Sequence, residues 1–187
     1  MRILLPLLAL LAIGALASAQ IERLTLQQMV EKTDGAVRGE IIGREVHRVA
    51  HPHPEAGPLY FTSLLVQGKS LVDGTAQTVT VSYPGGFIDG EQGVWNSEAP
   101  TDAETAVGKD VVVFYKWSAD MGGGFASNAL YASHGGLFTV FEARRGGSIV
   151  QGRGDGYAVA KNQRIADLAS EVARIAREKK QREGEGK

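Results

Sequence analysis

Short segments of alternating apolar and polar residues, separated by glycine-rich turns, fill most of the chain from residue 35 to residue 151. The clearest alternation is Thr78–Tyr83, which ends at Pro84-Gly85-Gly86. A period of two places successive side chains on opposite faces of a strand, so these segments are expected to be half-buried β-strands. We therefore predict a mainly β fold of six or seven strands, either a small antiparallel barrel (OB-like or related) or a sandwich.

A helical pattern precedes this β region. Thr25 and Gln28 have the spacing of a capping box, in which the threonine hydroxyl and the glutamine side chain satisfy the first free N–H groups of a helix. Apolar residues then follow at helical spacing. We expect a short N-terminal helix within residues 20–34, followed by a barrel domain over residues 35–160.

A second helical pattern follows the β region. Apolar residues between Ile165 and Ala176 recur on one face, which is typical of an amphipathic helix. We predict a C-terminal helix over residues 161–180, capped by Asn162 and packed on the barrel. Residues 181–187 are expected to form a disordered tail.

The first nineteen residues have the organisation of a cleavable secretory signal peptide. Arg2 supplies positive charge, residues 3–16 are almost entirely apolar, and Ala17-Ser18-Ala19 presents the small residues that signal peptidase accepts before Gln20. As a helix, the apolar run would cover about 21 Å, short of the roughly 30 Å hydrocarbon core. We therefore predict a periplasmic or secreted protein, cleaved after Ala19, that keeps no membrane span.

Composition narrows the classes of protein to which the mature chain can belong. The chain has no cysteine, so neither a disulfide nor a lipid on a cysteine can stabilise or anchor it, which suits a bacterial export compartment. Without Arg2, the chain carries 19 basic and 21 acidic side chains. That balance lacks the basic patch typical of nucleic-acid binding. We expect a monomer with no nucleic-acid partner.

Four elements of the β region, in their order and spacing, resemble a loose group of uncharacterised exported bacterial β-barrel proteins. They are Val37–Ile41 (VRGEI), Thr78–Gly86 (TVTVSYPGG), Gly108–Phe114 (GKDVVVF) and Gly136–Val140 (GLFTV). The resemblance covers about residues 35–151 and implies a small exported β-barrel. It implies no catalytic residues, and the chain departs from the group in residues 47–58 and in its C-terminal helix.

We expect a long irregular excursion over residues 86–108 to form the contact surface of the protein. Loops of this length in compact domains are usually functional or disordered. Aromatic and polar side chains together can bind a carbohydrate or a peptide, although the same rings can also fold back onto the barrel. The candidate ligand-binding residues are Tyr83, Phe87, Asp89, Glu91 and Trp95. We predict a non-enzymatic module that binds an unknown envelope or extracellular ligand or partner.

Three histidines provide an alternative hypothesis. His47, His51 and His53 lie within seven residues, and imidazoles at such spacing can share a zinc or copper ion. Prolines on both sides of His53 stiffen the segment, so the histidines can equally belong to a solvated loop. Apart from this possible metal ion, we expect no cofactor.

A hydrolase is the least favoured hypothesis. His134 has Ser118, Ser127, Ser133 and Asp120 as potential partners, but the sequence contains no G-x-S-x-G nucleophile elbow. The tripeptide Arg153-Gly154-Asp155 lies in a glycine-rich segment and is interpreted as a chance RGD sequence.

The signal-peptide interpretation gives a direct prediction. When the full chain is expressed in a bacterial host, the exported product should begin at Gln20, as measured by N-terminal sequencing. Ala19→Phe should accumulate the uncleaved precursor because the cleavage site requires a small residue there. Ser18→Phe is the matched control, since the middle position of the site has no such requirement. An exported product that retains Met1 would contradict the prediction.

Overall fold

The structure, a computed structural model, describes residues 23–144 and 146–185 of the chain. The predicted signal peptide and residues 20–22 lie outside this part. The helices are α1 (Leu26–Lys32) and α2 (Ile165–Glu185). The strands in chain order are β1 (Gly35–Val49), β2 (Leu59–Ser70), β3 (Ala76–Pro84), β4 (Gly86–Phe87), β5 (Gly93–Val94), β6 (Asp110–Ser118), β7 (Ser127–Leu130), β8 (Leu137–Glu142), β9 (Ser148–Val150) and β10 (Gln163–Arg164).

Five strands form a closed barrel, which confirms the predicted fold class and selects the barrel over the sandwich. The strands are hydrogen-bonded in the order β1-β2-β3-β7-β6, and β6 also pairs with β1 to close the ring. The β3–β7 pair is parallel, whereas the other four pairs of the ring are antiparallel. This arrangement is OB-like, with β8, β9 and β10 extending the sheet beyond β6.

Strand β1 is long enough to pair with two strands at once. Its first part pairs with β2 on one edge and with β6 on the other, so that Gly39 lies opposite both Gly68 and Val111. A register irregularity between Ile41 and Gly43 marks the point after which β1 continues with β2 alone. Such a bulge bends a strand and lets it turn around a barrel.

Residues Val111–Phe114 of strand β6 are buried on both faces, as their continuous apolar run predicts. Val111 and Val113 point into the barrel interior with residues of β1, β2 and β3. Val112 and Phe114 belong to a second cluster on the outer side of the strand. This second cluster includes residues of α1, α2, β8 and β9, so both helices pack on the barrel through it.

The N-terminal helix follows the prediction closely. The Gln28 backbone N–H donates to the Thr25 hydroxyl at 3.3 Å, and the Thr25 backbone N–H donates to Gln28 Oε1 at 3.0 Å, which completes the capping box. Met29 and Val30 lie on the buried face of the helix.

The C-terminal helix differs from the prediction at both ends. Asn162 does not cap it, because β10 intervenes and Asn162 Oδ1 instead accepts a hydrogen bond from the Gly152 N–H at 2.9 Å. The helix also continues through Glu185, although a disordered tail was expected from Gln181. Gln181, Arg182 and Glu183 favour helix, and Arg182 forms an ion pair with Glu31 of α1. Neither helix in the described residues combines the length and apolarity needed to cross a membrane.

The close approach of β1 and β2 gives a prediction about stability. A Cβ atom on Gly39 would overlap the backbone oxygen of Gln67, whereas one on Gly43 would lie 3.5 Å from Leu65 Cβ, an ordinary contact. Gly39→Ala should therefore lower the free energy of unfolding by about 2 kcal/mol through overpacking. Gly43→Ala, the matched control on the same strand, should change it by less than about 0.5 kcal/mol. Urea unfolding monitored by circular dichroism measures both changes. Equal changes in the free energy of unfolding for the two variants would contradict the close approach of β1 and β2 at Gly39.

Candidate functional site

The excursion over residues 86–108, predicted to be irregular, begins with a small β-hairpin. Strands β4 and β5 pair antiparallel, with Gly86 opposite Val94 and Phe87 opposite Gly93. The Ile88 N–H donates to the Gln92 carbonyl at 2.8 Å and closes the turn. Gly93 leaves room for the Phe87 ring, because a Cβ atom at this position would collide with it. The hairpin therefore has a defined shape.

Asp89 and Glu91 lie at the tip of this hairpin. The Asp89 carboxylate accepts hydrogen bonds from the backbone N–H groups of Glu91 at 2.9 Å and Gln92 at 2.7 Å. These two bonds favour the charged form and lower the pKa of Asp89 below its ordinary value. Asp89 thus stabilises the turn, and Glu91 is exposed beside it.

Four apolar side chains of the hairpin and the residue after it are exposed to solvent. The exposed fractions are 44% for Phe87, 50% for Ile88, 47% for Val94 and 76% for Trp95. We call these four residues the hairpin surface. Single exposed apolar residues are common on soluble proteins, but several within one short segment are typical of interaction sites.

Polar contacts hold the base of the hairpin on the barrel. Asn96 Nδ2 donates to the Pro84 carbonyl at 2.9 Å, and Asn96 Oδ1 accepts from the Glu98 N–H at 3.0 Å. The buried Thr62 hydroxyl donates to the Gly85 carbonyl at 2.7 Å. Strand β2 and the chain after β5 thereby fix the hairpin on the barrel.

A cavity of about 200 Å³ lies beside the hairpin surface and is partly lined by Phe87, Val94 and Trp95. Arg44 and Asp102 also line the cavity and form an ion pair with each other, with 2.8 Å between Arg44 Nη2 and Asp102 Oδ1. Tyr83, predicted to be a ligand-binding residue, also lines the cavity, but it is only 2% exposed and belongs to the barrel interior.

Of the five predicted contact residues, the structure therefore brings Tyr83, Phe87 and Trp95 together around one cavity. Sequence reasoning missed the contributions of Ile88 and Val94 to the exposed surface. The available signal was weak: the two residues lie on either side of a polar turn, as apolar residues do in a hairpin.

The three predicted metal-binding histidines do not form one ligand set. His47 lies in β1, where a loop was expected, because the pairing of β1 with β2 continues through Val49. Its ring lies 5.2 Å from that of Phe125, whereas His51 Nδ1 accepts a hydrogen bond from the His53 N–H at 2.9 Å. Within residues 23–144 and 146–185, no three His, Cys, Asp or Glu side chains are grouped so that they could hold a metal ion.

Three residues of the candidate hydrolase set, His134, Ser127 and Asp120, are hydrogen-bonded to groups outside that set. His134 Nδ1 lies 3.1 Å from the Glu98 carbonyl oxygen. The Ser127 hydroxyl is hydrogen-bonded to that of Ser82 at 2.8 Å, and the Asp120 carboxylate accepts from the Gly122 N–H at 2.7 Å.

The hairpin surface and its cavity are therefore the arrangement of described residues best suited to contact with another molecule. No family model matches the chain, and the comparisons found no curated protein and no solved structure similar to it.

Proposed function

We propose that this chain is an exported, non-enzymatic β-barrel module that binds a protein or peptide partner through the hairpin surface. The observation that carries the proposal is the exposure of Phe87, Ile88, Val94 and Trp95 on one anchored hairpin. Export rests on the signal peptide predicted from residues 1–19.

Phe87 and Trp95 are the two aromatic residues of the hairpin surface. Trp and other large aromatic side chains supply much of the binding energy in protein interfaces, because they bury a large apolar area at little entropic cost. Trp95 is 76% exposed, so a partner can remove most of its ring from water. The hydrogen bonds of Asn96 and Thr62 hold the hairpin in place, which reduces the ordering cost of binding.

Charges around the hairpin surface indicate the chemistry of the partner. Asp89 and Glu91 lie at the tip of the hairpin, and the Asp102 side chain is 91% exposed beside the cavity. Arg44 offsets one of these charges through its ion pair with Asp102. A partner segment with an apolar centre and basic residues beside it is therefore the best match.

Peptide selection tests the hairpin surface directly. Peptides displayed on phage and selected on the mature protein should be rich in apolar and basic residues. Trp95→Ala should weaken their binding at least tenfold, because a truncated interface aromatic typically costs about 2 kcal/mol. Trp117→Ala is the matched control: Trp117 is also exposed, at 57%, but it lies on β6 and outside the hairpin surface.

Tryptophan fluorescence provides an independent readout of the same binding. Trp95 and Trp117 are the two tryptophans of the chain, so Trp117→Phe leaves Trp95 as the single reporter. Its emission should shift to shorter wavelength when a selected peptide binds. Selected peptides that bind Trp95→Ala as tightly as the wild type, with no change in Trp95 emission, would overturn the proposed function.

A further inference from the structure

A second cavity, of about 370 Å³, lies on another part of the barrel and is lined almost entirely by polar side chains. Its side chains come from the loop before β6, the turn before β8, strand β8 and the segment after β9. They are Glu104, His134, Thr139, Gln151, Arg153 and Tyr157. We call it the Arg153 cavity. Among the described residues, it shares no lining residue with the cavity beside the hairpin.

Arg153 is held in one orientation inside this cavity. Its Nε and Nη2 atoms donate to the Leu137 carbonyl at 3.0 and 2.9 Å, and Nη2 also donates to Glu104 Oε1 at 2.6 Å. The guanidinium carbon also lies 5.8 Å from the centre of the Phe138 ring. Arg153 is therefore an ordered hydrogen-bond donor on the cavity wall and not a mobile surface side chain.

Glu104 balances the charge of Arg153. Burial raises the pKa of Glu104, but the Thr101 backbone N–H and hydroxyl and the Arg153 guanidinium outweigh it, so the pKa is lower than its ordinary value. The carboxylate is therefore ionised at neutral pH. The positive charge of Arg153 and the negative charge of Glu104 cancel. An anionic ligand would therefore have to compete with Glu104 for Arg153, and a cationic ligand would have to compete with Arg153 for Glu104.

His134 presents a defined face to the same cavity. A carbonyl oxygen can only accept a hydrogen bond, so Nδ1 carries the proton that bonds to the Glu98 oxygen at 3.1 Å. In a neutral ring, Nε2 is then an acceptor. The two residues before His134, Ala132 and Ser133, have left-handed φ values of 54° and 49°, a strained conformation for residues other than glycine.

The remaining side chains add groups that both donate and accept hydrogen bonds. The Thr139 hydroxyl and the Gln151 amide have this property. Tyr157 contributes a flat aromatic ring, whose centre lies 6.4 Å from that of His134. Hydroxyl groups on a ligand match such a mixed lining because each hydroxyl can also both donate and accept.

From this cavity we infer a second binding site, one for a neutral, hydroxyl-rich small molecule of the monosaccharide class. The volume lies within the range of small-molecule sites, the charges of Glu104 and Arg153 cancel, and side chains that donate or accept hydrogen bonds line the cavity together with one aromatic ring. The inference does not rest on the proposed partner binding, and the two cavities share no lining residue, so either proposal can fail without the other.

Titration of the ¹⁵N-labelled mature protein with sugars, followed by amide chemical shifts, tests the inference. The probes are neutral hexoses, pentoses, N-acetylhexosamines and inositol, compared with glucuronate, glucosamine and inorganic phosphate. At least one neutral probe should shift the amides of Thr139, Gln151 and Tyr157 in a saturable way. Charged analogues of that probe, and phosphate, should bind at least tenfold more weakly, which corresponds to about 1.4 kcal/mol.

Two variants locate the site without breaking the ion pair. Gln151→Leu and Thr139→Val should each weaken binding of the neutral probe about tenfold, as expected when a polar group that bonds a ligand is lost. Unchanged melting temperatures would show that both variants fold. Trp95→Ala, the control in the other site, should bind the probe like the wild type.

Two results would overturn the inference. One is that no neutral probe shifts these amides at concentrations up to about 50 mM, which would detect a Kd of about 10 mM. The other is that phosphate or glucuronate shifts the same amides as strongly as the best neutral sugar.

Discussion

The pairing of β1 with both β2 and β6 is the constraint on which the rest of this structure depends. It closes five strands into a ring and leaves no open edge along the first part of β1. The pairing of β1 with β2 at this point is possible because Gly39 and Gly68 face each other without side chains. A side chain at either position would meet backbone atoms of the neighbouring strand.

Closure of the barrel also determines where the helices pack. Strand β6 contributes Val111 and Val113 to the interior and Val112 and Phe114 to the outer cluster. The outer face of β6 must be covered, and α1 and α2 supply that cover. The two clusters thus share one strand, so the barrel and its helical layer are expected to unfold together.

Both proposed binding sites are built largely from segments outside the five barrel strands. The hairpin surface belongs to the chain between β3 and β6, and the Arg153 cavity is formed by the loop before β6, strand β8 and the segments on either side of β8 and β9. Loops on a rigid scaffold can vary without loss of the fold, which is why binding groups concentrate there. In both sites, hydrogen bonds to backbone carbonyls hold the chain in position: Asn96 bonds to Pro84 and Arg153 to Leu137.

The sequence by itself determined the local elements of this protein. Alternation in Thr78–Tyr83 and the capping box at Thr25 each depend on neighbours in the chain, and both elements were found where they were predicted. Only the tertiary structure decided which strands pair, because the β3–β7 pair joins Val81 to Asn128 across a long stretch of intervening chain.

The binding-site residues likewise divide into those recognisable from the sequence and those that only the tertiary structure brings together. Phe87 and Trp95 could be selected from the sequence because exposed aromatics in a long loop are locally recognisable. The burial of Tyr83 could not be predicted, since it depends on barrel closure, and neither could the meeting of Glu104 with Arg153. Contacts between residues distant in the chain depend on how the strands cross, and local periodicity carries no information about that.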